Sequence, residues 1–483
     1  MQEDQEQMYR PLSAVVLAAG EGTRMRSATP KVLHPLCGRP MILHVLDTLV
    51  QLPLERIVVV VGHGAEHVTK TVHEQLATEV PLEFVEQRVQ RGTGDAASVG
   101  LTPFADAVDT EDDVFVVPGD TPLLTPDTLA ALATEHRLAD AAATLLTVDL
   151  DDPTGYGRIV RDERGAVDRI VEQTDASDAE REITEINPSI YCFRRSYLAP
   201  ALRRLNPENA QGEYYLTDVI EVLRRTGHPI VAVPGDDASE TMGVNDRAQL
   251  ALAEQRLRAR INDRWMREGV SMTDPERTYV DASVELEPDV HLLPNVMLEG
   301  RTVIGAGSVV GPDCRLVDTI VGEDVVMAQT VAREAEIGDR ATIGPFASLR
   351  AGTRVGADAH VGTFVETKNA DIGEGAKVPH LSYIGDAEIG PRANIGAGTI
   401  TANYDGREKH RTKIGADAKT GSNTVLVAPV ELGDGAYTGA GAVVARDVPP
   451  GALAKGVPAR VDEGWAERRD AAPGDDETDD EHE

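Results

Sequence analysis

Between Ile337 and Val361 an aliphatic side chain falls on every sixth position, at Ile337, Ile343, Leu349, Val355 and Val361. Glycine follows four of them, at 338, 344, 356 and 362. The beat returns at Ile372, Val378 and Ile384, then at Ile389 and Ile395. An α-helix repeats its apolar face about every 3.6 residues and a strand every 2, so neither alone accounts for this period. A coil of short parallel strands does: each flat face contributes one inward aliphatic, and stacked coils make a continuous core. From about Val303 onward the chain therefore reads as a hexapeptide β-helix.

Binding groups are expected where the beat fails, because a solenoid tolerates insertions on one face. Arg350 occupies a slot where the hexad wants glycine. Charged and polar residues replace the repeat in Glu366–Ala370, Lys377–Tyr383 and Thr401–Lys413.

Before Val303 the pattern is different. Apolar runs at Ala14–Ala18, Ile57–Val61, Val114–Val117, Thr144–Val148, Ile190–Phe193 and Ile230–Val233 predict strands, with helical patterning at Ile42–Gln51 and Asp127–His136. Alternating strands and helices imply a mostly parallel α/β sheet that binds ligands at the carboxyl ends of its strands. The first run opens into a loop bearing Gly20 and Gly22, then Arg24 and Lys31. Bare backbone approaches a ligand closely, exposed N–H groups make an anion site, and the two cations add to it. A nucleoside triphosphate held by its phosphates fits that combination. The spacing is neither the dinucleotide fingerprint G-x-G-x-x-G nor the P-loop.

Val114–Val117 leads into Pro118-Gly119-Asp120. Taken alone, Asp120 is equally a turn or N-cap residue and a ligand for a hard cation. Beside the glycine loop, the Mg²⁺ reading prevails. Pro118 has no N–H to offer a ligand. Arg88 and Arg91 read as solvated or phosphate-steering cations. Residues 248–268 carry Leu250, Leu257, Ile261 and Trp265 at helical spacing and predict one long connecting helix.

Composition excludes some classes. The chain has 47 Lys and Arg against 81 Asp and Glu, a formal charge of −34, which argues against a general nucleic-acid binder. Cys37, Cys192 and Cys314 lack metal or redox spacing and read as small buried hydrophobes in a reducing compartment. No apolar run reaches membrane-span length and residues 1–12 are polar, so a cytoplasmic protein without membrane contact is expected. Beyond Trp465 the acidic, apolar-poor sequence is expected to lack fixed structure.

The string LAAGEGTRM…PK, from Leu17 to Lys31, resembles the signature of the sugar-1-phosphate nucleotidyltransferases. TGYGRIV, IVEQTDAS, EINPSIY and GVND in the first half extend the likeness, as do KVPHLSYIGDAEIG and NIGAGTITANYDG in the second. Together, from about Leu12 to Val461, the chain resembles the bacterial bifunctional N-acetylglucosamine-1-phosphate uridylyltransferase/glucosamine-1-phosphate N-acetyltransferase family.

That resemblance implies an N-terminal Rossmann-like nucleotidyltransferase domain (1–247), the connecting helix (248–268) and a left-handed parallel β-helix acetyltransferase domain (269–461). An acidic tail (462–483) follows. It implies UTP, acetyl-CoA and glucosamine 1-phosphate as substrates, Mg²⁺ as cofactor, a homotrimer, and a role in supplying cell-wall precursors. Leu17, Ala18, Ala19, Gly20, Gln87, Gly92 and Thr93 would contact the nucleotide. Gly119, Gly157, Glu172, Asn187 and Asn245 would contact nucleotide and sugar. Asp120 and Asn245 would hold the metal, with Lys31 and Arg24 neutralising phosphate charge. In the second half His380 would be the general base, with Glu366 a candidate to orient it. Arg350, Lys368, Tyr383 and Asn394 would form the acetyl-acceptor pocket. Ala397, Asn403, Tyr404, Ser422 and Ala440 would contact acetyl-CoA, Ser422 as a donor to the oxyanion. A cofactor-contacting Arg of the family has no counterpart around Ala454–Pro458, where Lys455 stands. The competing reading is a monofunctional sugar-1-phosphate nucleotidyltransferase whose β-helix is regulatory.

Overall fold

The computed structural model describes residues 10–104 and 111–470. Each apolar run of the first half forms a strand of one ten-stranded sheet. They are Leu12–Ala18, Ile57–Val61, Asp113–Pro118, Ala143–Asp149, Tyr191–Arg194 and Ile230–Pro234. Unbroken aliphatic sequence suits a strand covered on both faces, and the pleat divides it between two cores. Val16, Val59 and Val117 pack with Ile42 and Leu46 of the helix Met41–Leu49. Val15, Val60 and Val116 pack with Ala96 and Ala97 of the helix Thr93–Gly100.

Leu12–Ala18 lies between Ile57–Val61 and Asp113–Pro118, parallel to both. The sheet is nonetheless mixed, against the mostly parallel expectation. Tyr191–Arg194 is antiparallel to Asp113–Pro118 and to Ala143–Asp149. The cause is local. Glu185–Asn187 and Tyr191–Arg194 both run back along Ala143–Asp149, as a single return broken at Pro188-Ser189. Ser189 has φ 63°, which turns the chain out of the ladder there. Leu82–Glu86, Gly157–Arg161 and Val167–Val171 are further strands that the apolar runs do not announce, since their sequences mix polar with apolar residues.

The expected connecting helix spans Arg247–Arg267. The chain divides into two compact units between Leu257 and Arg258. In the first unit, Leu250 and Leu257 pack against Leu36, Met41 and Leu123. In the second, Asn262 donates from Nδ2 to the carbonyls of Pro275 and Thr278, each at 2.9 Å.

The second unit is a parallel β-helix. One inward column pairs Ile337, Val355, Ile372, Ile389, Ile414 and Leu432 in successive coils. Another pairs Ile343, Val361 and Val378. All are at most 3% exposed. The coils begin before the sequence beat becomes clear, with Ser271 already opposite His291 and Thr278 opposite Val296. Two of the expected interruptions are not insertions. Glu366–Ile372 and Lys377–His380 are strands in register with the coils before them, with their charged side chains at outward positions and Thr367 buried. The real excursion is the loop around residues 403–411, closed by a bridge between Tyr404 and Lys409.

The acidic tail expected from residue 462 starts later. Ala459–Asp462 pairs with Leu453–Gly456, and Trp465–Asp470 is helical, with the Trp465 ring 4.7 Å from that of Tyr437. Residues 471–483 of the expected tail lie outside the described residues. Cys37, Cys192 and Cys314 are all buried. Among the described residues no helix is long and apolar enough to cross a membrane.

Candidate functional site

The strand Leu12–Ala18 ends where its aliphatic run ends, and the chain then leaves the sheet through Ala19–Gly22. Gly22 takes φ 63°, a left-handed conformation that glycine adopts without steric cost. Two short 3₁₀ turns follow, Thr23–Met25 and Lys31–Leu33, and they place Arg24 and Lys31 at the strand end. A cavity of about 480 Å³ opens there, lined by Leu17, Ala18, Ala19, Gly20, Arg24, Lys31, Gln87, Gly92, Thr93, Asp120, Gly157, Glu172, Asn187 and Asn245. Of the first-half candidates, Gly119 alone is not in its wall. It is buried, its N–H donates to the Leu17 carbonyl at 2.8 Å, and a Cβ there would lie 3.2 Å from that of Ala18. Gly119 thus lets the two strand ends close together behind the cavity.

Four polar groups converge at the cavity mouth. The Lys31 ammonium is ion-paired with the Asp120 carboxylate and donates to Asn245 Oδ1 at 2.8 Å. Arg24 donates to the same Oδ1 at 2.9 Å. The loop carrying Asn245 is fixed from behind, by Val244 N–H on the Asp120 carbonyl at 2.9 Å and by Asn245 N–H on Gln249 Oε1 at 2.7 Å. A carboxylate and an amide oxygen are thus held within reach of one cation. Two such hard donors, completed by phosphate oxygens and water, fit the way Mg²⁺ is usually bound.

The opposite wall is neutral or acidic. Gln87 uses both amide hydrogens internally, on the Gly92 carbonyl at 3.2 Å and Asp95 Oδ2 at 2.8 Å, so its Oε1 is what it presents. Thr93 Oγ1 accepts from Leu216 N–H at 3.0 Å. Asn187 donates to the Tyr191 hydroxyl at 2.7 Å, just before the break in the return strand. Glu172 accepts from the Thr217 hydroxyl at 3.0 Å. Burial, reinforced by the charges of Asp218 and Asp175, raises its pKa. Burial likewise pushes Asp218 up to about 6, with Glu221 and Asp175 adding to the shift. Arg91 pairs with Asp95 at 2.9 Å and Arg88 with Glu86 at 3.5 Å, so both have local partners.

Among the lining residues not singled out from sequence are Tyr156, Gln90 and Thr217. Tyr156 sits inside the TGYGRIV string, and burial raises its pKa while Gly243 hydrogen-bonds to it. Gln90 donates to the Ala19 carbonyl at 2.7 Å, tying the two loops together. Thr217 lies in no motif, and only its contact with Glu172 draws it in.

In the β-helix, His380 ends the strand Lys377–His380 on one face, and Tyr383 begins the next strand on another. His380 therefore occupies the corner between two faces. Its exposed imidazole makes no hydrogen bond or ion pair with any described residue. No hydrogen bond joins it to Glu366, whose Oε1 accepts from Arg350 at 2.8 Å. Instead Thr363 is the register partner of His380. Arg350 and Lys368 lie close together, joined by Lys409 from the projecting loop. Repulsion from Lys409, then from Arg350, lowers the Lys368 pKa. Lys409 is a basic residue that sequence reasoning passed over within a segment it did single out. Tyr383 is opposite Glu366 and Ile400 on the same face. Asn394 is on the other face, between Lys377 and Lys419.

Ala397, Ser422 and Ala440 stack at one corner, where Asn423 N–H bonds the Ala397 carbonyl at 2.7 Å and Gly441 N–H that of Ser422 at 2.8 Å. Beside them Gly396 and Gly421 let successive coils pack backbone to backbone, since a Cβ on Gly396 would lie 2.6 Å from the Gly421 carbonyl carbon. Asn403 and Tyr404 belong to the projecting loop. Asn403 is buried against Asp386 at 2.5 Å, whereas Tyr404 is 61% exposed.

A cationic cradle at the carboxyl edge of an α/β sheet, joined to a hexapeptide β-helix with an unengaged corner histidine, defines a two-domain transferase. Residues 14–226 match the family model of the MobA-like NTP transferase domain, and residues 411–446 match that of the bacterial transferase hexapeptide. Bifunctional protein GlmU of Streptomyces avermitilis is 49% identical over 463 residues, 95% of each chain. Those of Streptomyces coelicolor and Thermobifida fusca are each 50% identical over the same length and coverage. The chain belongs to the GlmU family of bifunctional enzymes, combining a nucleotidyltransferase with a hexapeptide acetyltransferase.

Proposed function

We propose that the β-helix unit acetylates glucosamine 1-phosphate with acetyl-CoA, and that the α/β unit then joins the N-acetylated product to UTP, releasing pyrophosphate. The observation that carries the second step is the convergence of Lys31, Arg24, Asp120 and Asn245 at the mouth of a cavity. Uridylyl transfer brings two anions together, the sugar phosphate and the α-phosphorus of UTP. Alignment and charge neutralisation therefore dominate, and no covalent nucleophile is required. Lys31 and Arg24 place two cations against the phosphates, and Gly20 leaves the backbone open to them. Asp120 and Asn245 would hold Mg²⁺, which would neutralise charge on the phosphate oxygens. Lys31 then exchanges Asp120 for phosphate as its partner. Glu172, Asn187 and Gly157 face the sugar, and the Gln87 and Gly92 wall faces the base.

Acetyl transfer needs the acceptor ammonium to lose a proton before its nitrogen attacks the thioester carbonyl. His380 accepts that proton from its corner position, and the free imidazole favours this reading over a purely regulatory β-helix. The amide bond forms as the C–S bond breaks, and CoA leaves as the thiol. Arg350 and Lys368 hold the acceptor phosphate, with Tyr383 and Asn394 beside it. Ser422 donates to the developing oxyanion. Ala397, Asn403, Tyr404 and Ala440 border acetyl-CoA. A homotrimer fits the exposed corner column of Phe346, Phe364 and Leu381, which are 51%, 59% and 62% exposed. The substrates are small molecules of the cytoplasm, which is where the enzyme is placed, with no nucleic acid or membrane partner.

The test is to assay both half-reactions separately in wild-type, Lys31→Ala and His380→Ala proteins. Each substitution is expected to abolish one half-reaction and spare the other. Wild-type protein that released no CoA thiol from acetyl-CoA and glucosamine 1-phosphate would favour the monofunctional nucleotidyltransferase instead.

A further inference from the structure

The chain contains eight lysines, and six of them lie between residues 368 and 455: Lys368, Lys377, Lys409, Lys413, Lys419 and Lys455. Elsewhere the basic residues are almost all arginine. The arginines of the β-helix are mostly engaged, as in the Arg315–Glu299, Arg340–Asp358 and Arg392–Asp417 pairs. Among the described residues, none of those six lysines forms an ion pair with a carboxylate. In a chain of net charge −34, that is an unusual concentration of unneutralised cations. Lys368 and Lys409 belong to the acceptor site already described. Lys413 is flanked in register by Glu388 and Glu431, which accounts for it as part of a solvated charge ladder.

Lys377 and Lys419 remain. They are exposed, on coils either side of Asn394, with isolated bridges linking Lys377 to Asn394 and Asn394 to Lys419. Neighbouring strands are about 4.8 Å apart, so the two lysine backbones are about 10 Å apart across the asparagine. Two flexible ammonium groups at that spacing can close on one phosphate or span a diphosphate, with the Asn394 amide between them. The column continues to His360, opposite Lys377, and to Tyr437, whose ring lies 5.7 Å from Lys419 Nζ. Asp417, two residues before Lys419, is held by two guanidinium bonds of Arg392, at 2.9 and 2.7 Å. Lys377 lies near His360 and His380, which are no source of negative charge. From the same coils, Lys419 is three residues before Ser422 and Asn394 three before Ala397, so the pair adjoins the corner where Ala397 and Ser422 stack.

We propose that Lys377 and Lys419 form a phosphate-binding subsite of the acetyltransferase centre. The inference rests on the acetyl-transfer reading above. The phosphate comes either from the CoA moiety or from the sugar 1-phosphate. Both lysines are solvent-facing, so their loss does not threaten the fold.

The experiment uses the full chain, wild type against Lys377→Ala, Lys419→Ala, the double variant and the double arginine variant. Uridylyl transfer at the wild-type rate reports intact protein. KM is measured for acetyl-CoA, for acetyl-dephospho-CoA (which lacks the 3′-phosphate) and for glucosamine 1-phosphate. Each alanine is expected to raise one KM roughly tenfold, with kcat little changed and the arginine variant restoring most of the loss. A rise for acetyl-CoA that vanishes with the dephospho substrate assigns the 3′-phosphate. An equal rise for both CoA substrates assigns the diphosphate, and a rise for glucosamine 1-phosphate assigns the acceptor. Binding of adenosine 3′,5′-bisphosphate and of glucosamine 1-phosphate is followed by calorimetry, so that the subsite is tested even if acetyl transfer fails in the wild type. No KM changing by more than twofold in the double variant, or unchanged calorimetric binding of both probes, would overturn the proposal.

Discussion

Gly22 lies directly against Lys31: a Cβ on residue 22 would stand 2.5 Å from the Lys31 Cβ and 3.3 Å from its Cδ. The glycine is needed twice over, once for its φ of 63° and once for the space its missing side chain leaves to the lysine. The phosphate cradle is therefore set by a contact across the loop as well as by the loop's own backbone.

It follows that Gly22→Ala damages the nucleotidyltransferase without removing any charged group. The strained backbone costs about 1–2 kcal/mol, and Lys31 must move away from Asp120 and Asn245. Uridylyl transfer should fall by roughly 10- to 100-fold while acetyl transfer is unaffected. Equal loss of both activities would point to general misfolding instead.

Thr217 and Glu172 give a second test. Thr217→Val keeps the shape but leaves the buried Glu172 carboxylate without its 3.0 Å hydroxyl donor. KM for N-acetylglucosamine 1-phosphate should rise by about 5- to 10-fold, and Thr217→Ser should restore it. An unchanged KM in the valine variant would separate Glu172 from sugar binding.

A pH effect on stability is expected at Asp218, whose pKa is pushed up to about 6, mainly by burial. The folded state holds the Asp218 proton more tightly than the unfolded chain, so this group's contribution to stability falls as pH rises from about 4 to about 6. Above that window the ionised carboxylate destabilises the fold. Asp218→Asn should raise stability at pH 7.5 by roughly 1–2 kcal/mol, after allowance for its partial exposure, and leave it almost unchanged at pH 4. Thermal unfolding at the two pH values checks this.

Loss of His380 should be confined to the second centre. His380→Ala is expected to lower kcat for acetyl transfer by about 10²–10⁴-fold with little change in either acetyl-transfer KM. Because its exposed imidazole has no hydrogen-bond or ion-pair partner among the described residues, the substitution should leave the melting temperature alone. A kcat within a few-fold of wild type would remove His380 from the proton transfer.

Much of this was open to reading because the relevant signals are local. Ile337, Ile343 and Leu349 reveal the β-helix since every coil buries its aliphatics in the same way, whatever lies elsewhere in the chain. The glycine loop and Asp120 were likewise legible, each following directly from the end of an aliphatic strand. Thr217 carries no such mark, because it matters only through Glu172, 45 positions earlier. Glu366 shows the converse: it lies near His380 in sequence, yet the hydrogen bond it makes is with Arg350 from the preceding coil.

The sequence by itself determined the two folding periods, the loop that approaches phosphate, and the kinds of chemical group each half carries. Those depend on backbone sterics and on which residues can be buried. Only the tertiary structure decided the partners: Lys31 with Asp120 and Asn245, Tyr191–Arg194 antiparallel in the sheet, and Asn394 between Lys377 and Lys419. Such pairings join positions far apart in the chain, and they are fixed by how strands register and pack, which no single stretch of sequence records.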